Sequence, residues 1–222
     1  AEPLVEEPVA MAWDEYGRLY VVEMRSYMLD AYGAGEDLPV GRVVRLEDTN
    51  GDGRMDTSEI FLGGLVNPRA VAVVNEGILI GEPPNLWLCE LPTRSDLCEK
   101  KRSIGSYAND VETANVEHME NGLMQGLDNW FYNSKSSRSV RIEAGELLER
   151  EGFFRGQWGI TKDDFGRLLY NHNSTWLQAD FFAAEDIVQP HEQTYPEGLG
   201  VNLTNPANVY SVRVNPGVNR AY

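Results

Sequence analysis

The chain has 222 residues, 42% hydrophobic and 10% aromatic, enough for one sizeable core and too apolar for a disordered segment. Lys and Arg number 19 against 35 Asp and Glu, a formal net charge of −16 spread along the chain. Such a surface repels phosphate backbones, which excludes nucleic acid as a partner, and no apolar run is long enough to cross a membrane as a helix.

The opening Ala1-Glu-Pro-Leu-Val5 lacks a signal-peptide pattern and reads as a mature end after cleavage or as a cut boundary. A phrase then appears that returns along the chain: apolar residues, an acidic or Asn turn, Gly or Asn, and an aromatic-aliphatic strand. Its first copy is Met11-Ala-Trp-Asp-Glu-Tyr-Gly17-Arg-Leu-Tyr-Val-Val22, a hairpin with a tight turn, followed by Glu23-Met-Arg25. The alternating Gly41-Arg-Val-Val-Arg-Leu46 reads as a strand, and Ile60-Phe-Leu62 before Gly63-Gly64 as another.

Between those strands lies Asp48-Thr-Asn50-Gly-Asp52-Gly53-Arg54-Met-Asp56-Thr-Ser-Glu59, which fits the calcium-loop pattern at every specified position. Asp48, Asn50 and Asp52 occupy positions one, three and five. Arg54 is at seven, Asp56 at nine and Glu59 at twelve, with Gly53 at the sharp turn. Strand flanks argue against a helix–loop–helix sensor. The expectation is a hairpin pinned by structural calcium; the bland alternative is a solvated acidic turn.

The second copy, Ala70-Val-Ala-Val-Val-Asn-Glu-Gly77-Ile-Leu-Ile80, follows Asn67-Pro-Arg69. Cys89 and Cys98 then flank a Pro-containing turn, a spacing that suits a bridge across a hairpin base, with two free thiols as the alternative. They are too few for zinc. A bridge and a calcium loop together favour a periplasmic or extracellular location. Glu117-His118-Met-Glu-Asn121-Gly122 precedes the third copy, Leu123 to Tyr132. Arg155-Gly-Gln157-Trp158 precedes the fourth, Gly159 to Tyr170, which ends in Asn171-His172-Asn173. His191 lies in a polar, Pro-rich stretch and is assigned no role, nor is His172.

Four unevenly spaced hairpin phrases suit four-stranded blades with insertions, so residues 1–222 read as an all-β, partial β-propeller of about four blades. Another all-β fold is the alternative. A closed ring needs more blades, six or seven, so the remaining blades of a longer parent protein are expected as partners; the chain stops where a fifth phrase would begin. Residues just before each phrase gather at one mouth of the channel, which marks Arg69, His118, Arg155 and Trp158, with Glu23, Arg25 and Asn173 nearby. No Ser/His/Asp grouping, P-loop or dinucleotide glycine pattern occurs in a supporting context, which argues against hydrolases and nucleotide enzymes.

Met11 to Arg25, Gly64 to Val74, Glu117-His118 through Trp130, and Phe154-Arg-Gly-Gln-Trp-Gly-Ile160 resemble the membrane-bound dehydrogenase family of planctomycete and verrucomicrobial type. That family is related to quinoprotein glucose/sorbosone and pyranose dehydrogenases. The resemblance covers nearly the whole chain, including Pro216 to Tyr222. It implies a propeller that holds pyrroloquinoline quinone (PQQ) and calcium and oxidises a sugar or alcohol. His118 matches the general base and Arg155 the arginine that polarises the quinone. Arg69, Glu23 and Arg25 are implied as cofactor or substrate contacts. Asn173 falls near carbonyls for the cofactor's calcium, and Trp158 replaces a cofactor-binding glutamine. Electrons would leave to a cytochrome c domain or partner. The rival is a non-catalytic propeller, stabilised by calcium, that binds glycans or proteins.

Overall fold

The computed structural model describes residues 3–93, 97–108, 116–183, 185 and 196–204. Four successive antiparallel meanders build it, each of four strands. The first comprises β1 (Pro8–Trp13), β2 (Leu19–Glu23), β3 (Gly41–Glu47) and β4 (Thr57–Leu65). The second comprises β5 (Ala70–Val74), β6 (Gly77–Glu82), β7 (Asn85–Glu90) and β8 (Lys101–Ser106). The third has β9 (Asn121–Gln125), β10 (Phe131–Ser134), β11 (Ser136–Glu143) and β12 (Glu146–Arg155). The fourth has β13 (Ile160–Lys162), β14 (Leu168–His172), β15 (Thr175–Ala179) and β16 (Val201–Asn202). Neighbouring first strands β5 and β9 pair in parallel at Ala70 and Gly122. Successive four-stranded blades joined along their first strands are the architecture of a β-propeller. His191, the closing Pro216–Tyr222 and the start of a fifth phrase lie outside the described residues.

Each repeated phrase is the first hairpin of one blade. The turns show why. Asp14 Oδ1 accepts the amides of Tyr16 and Arg18, both at 2.9 Å, while Arg18 Nε donates to Oδ2 at 2.7 Å. Asp163 does the same for Phe165 and Arg167 at 2.9 and 3.0 Å, and Arg167 Nε reaches it at 2.6 Å. An aspartate that bonds the backbone two and four residues on makes the turn in place of a strand ladder.

Packing between blades follows the period-2 alternation of strands. β6 is buried along its whole length. Ile78 and Ile80 face blade 1, meeting Tyr20, Val22, Val43, Phe61 and Leu65. Leu79, between them, faces blade 3 with Leu86 and Leu88, meeting Leu123, Phe131 and Val140. Each such side chain, fully removed from water, contributes about 1.5–3 kcal/mol. A smaller cluster, Tyr132 with Leu168 and Tyr170, joins blades 3 and 4.

Cys89 and Cys98 form a disulfide, with Cα atoms 5.5 Å apart, so the free-thiol alternative falls away. Cys89 is fully buried in the core between blades 1 and 2, and the Cys98 amide donates to Phe61 O at 3.2 Å. The bridge therefore ties the loop of blade 2 to its neighbour.

Candidate functional site at the channel mouth

Antiparallel meanders sort their connections between two ends. The segments entering each first strand and the turns between second and third strands share one end, the mouth. The first-hairpin turns and the loops between third and fourth strands share the other. The 48–56 loop and the disulfide therefore lie at the end opposite the mouth residues.

At the mouth, a short 3-10 turn, Val116–His118, leads into β9. His118 is half-buried and its Nδ1 lies 3.0 Å from Gln157 Nε2. Gln157 is fixed at both backbone groups: its amide donates to Asn171 O at 2.8 Å, and its carbonyl accepts from Asn121 Nδ2 at 2.8 Å. Gly156 permits this path. Its φ is +63°, and a Cβ there would lie 2.9 Å from Ser134 Oγ and 3.3 Å from Tyr170 Cβ. Trp158 Nε1 donates to Glu117 O at 3.1 Å, which ties blade 4's entry segment to the turn carrying His118.

Arg69 joins the same cluster. Its Nη1 donates to Val116 O at 2.8 Å, and its Cζ lies 5.9 Å from the centroid of the Trp158 ring. Burial pulls its pKa below the ordinary arginine value, against the neighbouring Tyr107 and Tyr27. Asn173 lies in the exposed turn between β14 and β15. With Gln157, Trp158, Asn171, His172 and Trp176 it lines a cleft of about 310 Å³. His172 stacks on Phe154, centroids 6.4 Å apart, and burial together with Lys135 lowers its pKa.

The other expected residues are used elsewhere. Glu23 is fully buried, accepting the Glu6 amide at 2.8 Å and the Arg42 guanidinium. Arg25 donates to Glu6 Oε2 at 2.6 Å. Arg155 is buried between blades 3 and 4, its Nε 2.5 Å from Asp180 and its Nη1 2.5 Å from Glu185. Burial alone would lower its pKa, but the bond to Glu185 and the charges of Glu185 and Asp180 outweigh that and raise it. Arg155, which the resemblance marks as the quinone-polarising arginine, has its Nε and Nη1 engaged by carboxylates of this chain, while its Nη2 is buried without a hydrogen-bond partner among the described residues.

In the 48–59 loop, Asp48 accepts the amides of Gly51 and Gly53 at 2.7 and 2.8 Å, Asn50 that of Asp52 at 2.9 Å, and Asp52 that of Arg54 at 2.8 Å. Asp56 accepts from Thr49 and Asn50. Glu59, the residue at position twelve, stands in β4 opposite Arg45 and bonds it at 2.9 Å. Among the described residues no group of three or more His, Cys, Asp or Glu side chains is placed to hold a metal ion.

The sequence places Gln157 and Asn171 in the mouth segments without pointing to a role for either, and it leaves Trp176 unmarked. Gln157 follows the end of β12 at Arg155, and Trp158 and Trp176 beside a polar turn are the signal in the sequence.

Among solved structures the chain is similar to a candidate gluconolactonase, with 17% identity and a TM-score of 0.49 over 73% of this chain and 54% of that one. It is also similar to virginiamycin B lyase from Staphylococcus aureus, with 14% identity, a TM-score of 0.39, and coverage of 78% and 66%. A streptogramin B lyase matches with 12% identity, a TM-score of 0.40, and coverage of 81% and 67%. The chain thus spans 54% of the first structure's length and about two-thirds of the lyases'. No curated protein matches the sequence. The family model described as domain of unknown function DUF7133 matches residues 1–220, and the chain belongs to that family.

Proposed function

We propose that the chain is part of a propeller enzyme that acts on a sugar or alcohol at this mouth, with His118 exchanging the hydroxyl proton. The observation that carries this reading is the hydrogen-bonded His118–Gln157 pair beside a polar cleft edged by Trp158 and Trp176. With the Gln157 amide nitrogen toward Nδ1, the amide donates and a neutral ring carries its proton on Nε2. With the amide turned end for end, Oε1 accepts from Nδ1–H and Nε2 becomes the base. Both amide orientations preserve the contact, and the second prepares the ring for proton abstraction. Indole faces beside Asn171 and Asn173 suit a ligand with apolar ring faces and hydroxyl edges.

The oxidation implied by the family resemblance would supply hydride to PQQ and electrons to a cytochrome c domain or partner. The described residues fit that tricarboxylate incompletely. Trp158 offers a plane and Arg69 one cation, while Arg25 and Arg155 are committed to Glu6, Asp180 and Glu185. They do not by themselves make a cradle for the cofactor.

Calcium is a separate proposal. The all-oxygen donors Asp48, Asn50, Asp52 and Asp56 suit a hard cation, since each oxygen bonded to a backbone amide keeps a second lone pair. Calcium there would brace the β3–β4 hairpin. Addition of calcium should raise the Tm of the wild type and leave Asp48→Asn/Asp52→Asn unchanged; equal responses would remove the site. The disulfide supports a periplasmic or extracellular setting.

The test is reconstitution of the intact protein with PQQ, calcium and an artificial electron acceptor across a sugar and alcohol panel. Turnover lost in His118→Ala supports the enzyme. Sugar binding without turnover, unchanged in His118→Ala, would establish the glycan-binding alternative that the exposed Trp176 also favours.

A further inference from the structure

Arg69 is 1% exposed and carries a charge for which the described residues supply no carboxylate. The buried arginines Arg45, Arg138 and Arg155 each lie within 3.0 Å of an Asp or Glu oxygen. Among the described residues the partners of Arg69 are neutral: Val116 O at 2.8 Å, Asn67 O at 3.4 Å and the Trp158 face. Its Nη2 is buried with no hydrogen-bond partner among the described residues. A buried guanidinium left with an unmade hydrogen bond is costly, and a carboxylate would remove both deficits at once.

The space for such a group exists. Arg69 lines a cavity of about 290 Å³ with Val66, Asn67, Val116 and Met119, and with Glu36 and Asp37 also in its wall. Glu36 Oε1 is turned to the Met28 amide at 3.1 Å, and its backbone carbonyl accepts from Asn67 Nδ2 at 2.9 Å. Acidic side chains in the wall oppose a purely anionic ligand but accept hydrogen bonds from hydroxyls. One buried cation flanked by acceptors matches a molecule with one carboxylate and several hydroxyl groups.

We propose that Arg69 binds the carboxylate of a hydroxylated acid, a sugar acid of the uronic or aldonic type, placed so that its hydroxyls extend toward His118. This rests on the mouth being the ligand site, and it narrows the substrate class from sugars or alcohols in general. One guanidinium without a carboxylate, among the described residues of this cavity, favours a monocarboxylate over the tricarboxylate cofactor. Arg69 and His118 belong to one framework, because Val116 binds Arg69 through its carbonyl and lies in the 3-10 turn that presents His118.

Binding, not turnover, tests this. The intact protein is titrated with glucuronate, glucuronamide and PQQ, each alone, as wild type, Arg69→Met, Arg69→Lys and His118→Ala. Wild type should bind glucuronate roughly ten- to a hundredfold more tightly than the neutral amide. Arg69→Met should erase that preference while retaining the wild-type melting profile, and Arg69→Lys should keep part of it. His118→Ala should preserve the preference even if every activity is lost, which separates this proposal from the catalytic one. Equal affinity for acid and amide in wild type, a preference that survives Arg69→Met, or no binding of either would overturn it. Arg69-dependent PQQ binding without preference for glucuronate would assign the carboxylate to the cofactor and overturn the substrate assignment.

Discussion

Arg155, between blades 3 and 4, and Arg69, at the mouth, are almost equally buried, at 3% and 1% exposure, yet their surroundings are opposite. Arg155 is gripped by Asp180 and Glu185, whereas among the described residues Arg69 meets carbonyls and an indole face. Both leave Nη2 without a hydrogen-bond partner among the described residues, so the difference lies in charge: carboxylates neutralise Arg155, and none among the described residues reaches Arg69. Arg155 ends the fourth strand β12 and Arg69 stands directly before the first strand β5, so both lie near the passage from one blade to the next.

The sharpest way to break this comparison is to remove both charges in turn. Arg155→Met should destabilise the fold by about 3–5 kcal/mol in denaturant unfolding, because it strands two buried carboxylates. A loss below about 1 kcal/mol would show that the pair does not join the blades.

A smaller effect should appear with pH. Burial would raise the pKa of Glu185, but the bond and charge of Arg155 outweigh it and hold the folded value below the ordinary 4.5. A depressed carboxylate stabilises the fold fully above its unfolded pKa, and that contribution is lost as pH falls through the folded value. Wild type should therefore lose stability below about pH 4.5 more steeply than Glu185→Gln. Parallel profiles would contradict the assignment. The smallest effect is expected at the mouth, where Arg69→Met without ligand should change stability by no more than about 1 kcal/mol in either direction, since it removes an uncompensated charge together with some packing.

Local chemistry made much of the fold legible before any coordinates. Asp14 and Asp163 announce their turns because the side chain bonds backbone within four residues, and the apolar alternation after each turn marks a buried strand. The same held for the cysteine hairpin, whose two ends are close along the chain. Long-range pairing was hidden. Nothing near Arg155 in sequence points to Asp180 or Glu185, and nothing near Glu23 points to Arg42, so both residues looked available. Glu59 fits the calcium pattern by spacing, but strand geometry turns it to Arg45. His118, Arg69 and Trp158 were legible because repeat position alone brings them together; Gln157 was not, since a neutral amide shows its role only once its partner is in place.

The central claim is that His118, set by Gln157, faces the bound ligand. The most direct measurement is the NMR titration of the His118 ring nitrogens in the intact protein, with and without a bound sugar or sugar acid, in wild type and Gln157→Leu. Ligand should shift the His118 Nε2 signal, and Gln157→Leu should change the tautomer balance while the other histidines stay unchanged. A ligand that binds and leaves His118 unmoved, or a tautomer indifferent to Gln157, would contradict it.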